Sequence, residues 1–206
     1  MDLQKERKRK KEIGGLTRMI YYIADTHLND QKIFDKCKRP FNSLEEMNKT
    51  IIDNWNNRVN DDDIVYVLGD IIKDDDESAI ELFRNLNGHK HLIVGNHDHI
   101  LIDKIRESNI FESIKFIDVI IDNNQKICIC HYPLMDWMEF NRNGLFVYGH
   151  IHNKTSNNGP AYTQIKAYYS DKCAYNCGVD VIGFTPRTLE ELKTLKEANK
   201  DEPYIN

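Results

Sequence analysis

No stretch of this 206-residue chain is apolar for the roughly 18 residues that a membrane-spanning helix needs, which argues against a helical membrane protein. The N-terminus is charged and lacks the apolar core of a secretory leader. The five cysteines, Cys37, Cys128, Cys130, Cys173 and Cys177, are odd in number and include no C-x-x-C pair. Neither a disulfide framework nor a zinc ribbon fits that pattern, so a reducing, cytoplasmic setting is expected. Internal repeats, linkers and composition breaks are also missing beyond residue 18. The length then suits one compact domain, residues 19–206, with a core that needs no disulfide.

The chain does have charge, unevenly laid out around a net of -5. Lys5 to Lys11 reads KERKRKK, while Asp61 to Asp63 and Asp74 to Glu77 are acidic. Such runs are ordinarily solvated, and the alternative for the basic one is a nucleic-acid-binding arm. Met19 opens directly on an apolar run, so residues 1–18 are expected to be a disordered extension.

Apolar runs alternate with helical patterns. Met19 to Ala24 and Ile64 to Asp70 read as buried strands, and "HLIVGNHD" as a third. Between the first two, Leu44, Met47, Ile51, Ile52 and Trp55 follow helical spacing behind Ser43 and Glu46, a capping-box signature. "SAIELFRNLNG" predicts a helix closed by Gly88, and another is expected over about residues 100–107. Beyond it, "SIKFIDVII", "KICICHYP" and "GLFVYGHIHN" predict three strands with tight connections. A strand around Ala174 to Val181 and a helix opened by Thr188 and Glu191 finish the chain. The pattern predicts an α/β fold of two mixed sheets flanked by helices.

Polar clusters stand where the apolar runs stop: Asp25 and His27, Asp70, Asn96 with His97 and Asp98, His131, then His150 and His152. Ligands of open α/β sheets bind at the carboxyl ends of strands. Converging there, these groups could not stay buried as bare charges. Imidazoles mixed with carboxylate and amide oxygens suit manganese, iron, zinc, nickel or cobalt better than calcium. The donors outnumber what one tetrahedral ion takes, so two divalent ions are the natural count.

The ordered set D-x-H, GD, GNHD, H and GHxH resembles the calcineurin-like metallophosphoesterase superfamily from Met19 to about His152. The tail "NCGVDVIGFTPRTLEEL" is similar to the ending of a small bacterial or phage branch. The resemblance implies a four-layer α/β/β/α sandwich. It implies that Asp25, His27 and His152 hold one metal, that Asn96, His131 and His150 hold the second, and that Asp70 bridges them, with manganese the leading expectation. The implied activity is hydrolysis of a phosphoester by a hydroxide shared between the ions. His97 would then orient phosphate and protonate the leaving oxygen, and Asp98 would support a histidine or cap the following helix.

Departures from related groups narrow the substrate. "GDIIKDDDES" and "GNHD" differ from the protein phosphatase pattern. About two dozen residues between Asp70 and Asn96 leave no room for a nuclease-type cap. A small phosphoester or nucleotide is the expected substrate. The alternatives are a nuclease using the basic tail and a non-catalytic scaffold. Arg39, among Lys32, Lys36 and Lys38, is a candidate phosphate contact, and Trp137 a candidate stacking platform. Cys128 and Cys130 alternate with isoleucines and are expected to pack. His99 has no assigned role. No membrane partner is expected, and the chain is read as a monomer or homodimer.

Overall fold

The computed structural model describes residues 18–72, 77–153 and 159–199. The basic run at Lys5 to Lys11, nearly all of the expected extension 1–18 and the acidic run from Asp74 to Asp76 lie outside them.

Four strands and their crossovers build the first half. β1 (Ile20–Ile23) leads through α1 (Gln31–Lys36) and α2 (Leu44–Asn56) to β2 (Ile64–Val67). α3 (Ser78–Leu82) connects β2 to β3 (His89–Ile93), and α4 (Ile102–Glu107) connects β3 to β4 (Ser113–Lys115). Helical crossovers return each strand in the same direction. The sheet accordingly runs β1-β2-β3-β4 and every pairing in it is parallel. α2 buries Met47, Ile51 and Trp55, spaced four apart on one stripe. Burial of each such side chain contributes roughly 1.5–3 kcal/mol. Ser43 caps this helix by accepting from the Glu46 backbone N–H at 3.1 Å. The expected reciprocal half is displaced by one residue, since the Glu46 carboxylate accepts from Asn42 N at 2.8 Å.

The second sheet opens with an antiparallel hairpin of β5 (Ile117–Asp122) and β6 (Gln125–Cys130). Its two turn residues, Asn123 and Asn124, have φ of 47° and 64°. Positive φ at both positions marks the turn whose twist matches that of the paired strands. β7 (Leu145–Tyr148), α5 (Gly159–Tyr168), β8 (Ala174–Asn176), α6 (Val179–Ile182) and α7 (Leu189–Ala198) follow. β6, β7 and β8 run parallel, giving the order β5-β6-β7-β8.

Two packed sheets with helices outside them agree with the expected architecture, with differences in detail. The first sheet is parallel and only the second is mixed. "SIKFIDVII" is two strands: the chain leaves β4 in one sheet and enters β5 in the other around Phe116. The segment Leu28 to Phe41, expected as a loop, contains α1, started by Asp30 accepting from Ile33 N at 3.0 Å. α5 carries no strong amphipathic pattern and was not expected. The last strand stops at Asn176, well short of Val181.

Period-two alternation along β6 defines the layers. Ile127 and Ile129 join the main core with Tyr21, Val65, Val67 and Leu92. Cys128 and Cys130 point the other way, into a smaller cluster with Trp137, Phe146, Tyr148 and Tyr169. All five cysteines are free thiols, and burial pushes the Cys128 thiol up to about 11. Packing accounts for both strand cysteines.

Candidate metal centre

Every candidate ligand sits just past a strand. Asp25 and His27 follow β1, Asp70 follows β2, Asn96 follows β3, His131 follows β6, and His150 and His152 follow β7. Five of the seven lie in the left-handed region, with φ of 58° at Asp25, 44° at His27, 52° at Asp70, 73° at His150 and 53° at His152. Such conformations cost about 1–3 kcal/mol each and persist only where surrounding contacts hold them. Here the turns are stitched together. Asp25 N donates to Gly69 O at 3.0 Å and His27 N to Asp70 O at 3.0 Å. His150 N donates to both Asp25 carboxylate oxygens, at 3.0 and 2.9 Å. Two glycines permit the close approach: a Cβ on Gly69 would lie 2.7 Å from His131 Nδ1, and one on Gly95 would collide with the Asp70 carboxylate.

Asp70 occupies the middle of the cluster. Its Oδ2 is 3.6 Å from His27 Nε2 and 3.3 Å from His131 Nε2, while its Oδ1 accepts from His97 N at 2.9 Å. His131 Nδ1 lies 2.7 Å from Leu68 O, which turns Nε2 inward to 3.3 Å from Asn96 Oδ1. The donor atoms form four overlapping groups: Asp25, His27 and His152; His27, Asp70 and His97; Asp70, His131 and His150; and, behind the first, Cys37, His152 and Asp180. Within each, they lie within 4.8 Å of one another.

The charges explain why a cation fits. Burial would raise the Asp70 carboxyl, but His131 and His27 hold it well below the usual carboxylate range. Burial would lower His131, yet Asp70 and Asp25 raise it to about 9. The site thus stabilises positive charge beside its carboxylates. His27 is fully buried and neither ring nitrogen has a hydrogen-bond partner, although Asp30 Oδ2 stands 3.4 Å from Nδ1. An unsatisfied buried group costs roughly 1–3 kcal/mol, which coordination to a cation would remove.

The model of the calcineurin-like phosphoesterase family matches residues 19–199. This chain belongs to that family. It is a metal-dependent phosphoric ester hydrolase. It is 38% identical over 191 residues to an uncharacterized protein of Methanocaldococcus jannaschii, covering 92% of this chain and 97% of that one. A crystal structure of an Aquifex aeolicus protein of unknown function superposes with a TM-score of 0.66 at 26% identity, covering 87% of this chain and all of that one. An archaeal phosphodiesterase aligns more loosely, with a TM-score of 0.41 at 21% identity over 65% of this chain and 73% of that one.

Around the phosphoesterase site lies a layer of supporting groups. Asp98 is completely buried, and its carboxylate accepts from the backbone N–H groups of Gly95 at 2.7 Å and of Asp70 and Ile71 at 2.9 Å each. Burial and the Asp70 charge push it up to about 6 against those hydrogen bonds. Asp98, a candidate site residue, was expected to support a histidine or to cap the following helix. Its partners make it a positioning residue that locks the Asp70 turn onto the Gly95-Asn96 turn. His97 faces the cluster edge-on, its ring 5.1 Å from that of His27. His99 Nδ1 lies 2.5 Å from Asn96 O, bracing the same turn.

Asp180 escaped the sequence reading. Its Oδ2 is 2.8 Å from His152 Nδ1, which leaves His152 Nε2 for the site, and Arg39 grips both of its oxygens at 2.9 and 3.1 Å. Arg39 also donates to the carbonyls of Thr26 at 2.8 Å and Asp25 at 2.7 Å. Burial would raise Asp180, but Arg39 and His152 hold it at about 2. These contacts correct the expectation for Arg39: a buried guanidinium spent on Asp180 and two turn carbonyls is a strut beneath the candidate ligand turns rather than a phosphate contact. Trp137 is corrected as well, being buried with Nε1 donating to Gly144 O at 2.8 Å and its ring stacked 4.9 Å from Phe146. The aromatic ring at the mouth is instead Tyr132, 42% exposed and packed 4.8 Å from His150 and 5.0 Å from His131.

Proposed function

We propose that this phosphoesterase hydrolyses a small phosphoester or nucleotide with the aid of two divalent ions, manganese foremost. Asp25, His27 and His152 would hold one ion, Asn96, His131 and His150 the other, and Asp70 would touch both. The observation that carries this reading is the trio of overlapping donor groups linked through His27 and Asp70, with His27 buried and unsatisfied. When bound, such ions supply Lewis acidity toward phosphoryl oxygens and acidify water.

The remaining work falls to this chain's own groups. Asp98 and the Arg39–Asp180 pair keep the ligand turns fixed, so that little reorganisation is needed as substrate charge shifts. His97, at the rim of the cluster, holds the proton passed to the leaving oxygen. Tyr132 offers a ring face and a phenol to the ester's organic group. The absence of an inserted cap between Asp70 and Asn96 favours small substrates in an open mouth.

The test is metal-depleted protein reconstituted with Mn, Fe, Ni, Zn or Co. Metal per chain is measured, and turnover is screened on p-nitrophenyl phosphate, bis-p-nitrophenyl phosphate, cyclic nucleotides and dinucleoside polyphosphates. Two ions per chain with hydrolysis of at least one small ester is the expected result. One ion at full activity would overturn the dinuclear reading, and inactivity on every small ester would overturn the substrate class.

A further inference from the structure

At the β8 edge of the second sheet a cavity lies between α5 and α7. Tyr148 and Asn176 line it from the sheet, Tyr162 and Lys166 from α5, and Leu192 and Lys196 from α7. Its enclosed volume is about 80 Å³. That is roughly half the volume of an apolar cavity that binds benzene, enough for a body of about four or five non-hydrogen atoms.

One wall group is left without a protein partner. Tyr148 is only 5% exposed, yet its hydroxyl has no hydrogen bond to any of the described residues. Buried phenols normally find one, as Tyr22 does on Asp122 at 3.0 Å and Tyr169 on Leu134 O at 2.6 Å. Burial, with the neighbouring Tyr169 and Tyr162 phenols, pushes the Tyr148 hydroxyl well above its ordinary range, so it stays a donor. The helix side of the cavity is cationic. Lys196 Nζ is fixed by the carbonyls of Tyr169 at 2.6 Å and Ala174 at 3.3 Å, Lys166 adds a second ammonium group, and the lining includes no carboxylate.

The same cavity borders His152 on three sides. Ile151, which stands between His150 and His152, lines the cavity and packs in one cluster with Tyr148 and Tyr169. Asn176 Nδ2 donates to His152 O at 3.4 Å. Val181 lines the cavity next to Asp180, the partner of His152 Nδ1. We propose that this cavity binds a small carboxylate whose apolar body carries a hydrogen-bond acceptor for Tyr148 and whose anionic end meets Lys166 and Lys196, and that its occupancy tightens metal binding. Ile151 is flanked by two left-handed residues, with φ of 73° at His150 and 53° at His152. A side chain beside a void lacks contacts on that side, and filling the void holds the strained turn in its ligand-bearing form. The binding site stands on the cavity itself, whereas the coupling rests on the two-ion reading above.

NMR titration of metal-depleted protein with levulinate and 4-hydroxybutyrate tests the site, since both acids carry an oxygen at the end remote from the carboxylate. Valerate, which lacks that oxygen, is the control. The expected result is saturable shifts at Tyr148, Ile151 and Asn176, with valerate binding about tenfold more weakly, the worth of one hydrogen bond. Tyr148→Phe should abolish the preference for levulinate over valerate while leaving the unfolding midpoint of the unliganded protein unchanged or higher, because the lost hydroxyl bonds no protein group. Saturating levulinate should then tighten manganese binding about fivefold or more, and manganese should tighten levulinate by the same factor. Absence of shifts with all three acids overturns the site, and a levulinate preference that survives Tyr148→Phe overturns the role of the hydroxyl. Levulinate binding with unchanged manganese affinity overturns the coupling. A protein that takes up no metal while still binding levulinate overturns the two-ion reading and the coupling together, and supports the site.

Discussion

Asp70 and His97 differ in what their removal should do, although they are joined by one hydrogen bond of 2.9 Å. Asp70 lies between two donor groups, so Asp70→Asn is expected to lose both metal content and turnover. His97→Ala should retain metal while kcat falls by roughly 10²–10⁴-fold, the usual worth of a general acid. Metal analysis beside steady-state kinetics separates the two, and full activity in His97→Ala would remove the proposed acid. The aromatic residues divide similarly. Trp137→Ala should cost about 3–5 kcal/mol of stability by leaving a cavity, whereas Tyr132→Ala should raise KM and leave the unfolding midpoint nearly unchanged. The site was legible at this scale because its ligands are tied to strand ends in a fixed order. Asp180 was not, since its partners His152 and Arg39 are distant in sequence and no local pattern announces a carboxylate behind a histidine. Arg39 misled for a related reason: a basic residue near a metal motif looks the same in sequence whether it reaches outward to phosphate or inward to a buried carboxylate.

At the scale of elements, caps and periodic faces were readable and strand partners were not. α7 begins as expected, with Thr188 N donating to Glu191 at 2.9 Å and Thr188 Oγ1 accepting from Glu191 N at 3.4 Å. Burial would raise the Glu191 carboxyl, but the Thr188 hydrogen bond and Arg58 lower it below its ordinary 4.5. A depressed folded-state pKa stabilises fully above the unfolded value and fades as pH falls through the folded one. Glu191→Gln, which loses the Arg58 ion pair, should therefore be less stable than wild type by about 0.5–1 kcal/mol at pH 7. The two proteins should converge as pH drops below about 4.5, as read by urea unfolding at several pH values. A constant gap across that range would mean that the carboxylate charge is not the source. "SIKFIDVII" shows the opposite case. Its run of apolar residues has the composition of one long strand, yet β4 pairs back with β3 across a helix and β5 pairs forward with β6 across a two-residue turn, and nothing within the run marks where one sheet is left for the other.

For the molecule as a whole, the candidate metal centre joins both sheets, since the residues gathered there follow β1, β2 and β3 of one and β6 and β7 of the other. Cation binding should therefore stabilise the native state against unfolding, by an amount that rises with the logarithm of the free ion concentration above Kd and reaches about 2.7 kcal/mol at a hundredfold excess. Differential scanning fluorimetry with and without a chelator checks this, and an unchanged midpoint would separate the ions from the fold. Asp180→Asn should weaken metal binding by about 10–100-fold while His152 remains in place, and Asp180→Glu should recover part of it.

The sequence by itself determined the family, the alternation of strands and helices in the first half, and the candidate polar residues that stand at the strand ends. Each of these is written in local spacing: apolar periodicity, cap residues and polar groups at strand ends. Only the tertiary structure decided that the first sheet is wholly parallel, that Arg39 and Trp137 face inward, and that Asp180 stands behind His152. Those outcomes depend on which distant segments meet, because burial and pairing are set by contacts across the whole chain, and a residue type does not carry its neighbours with it.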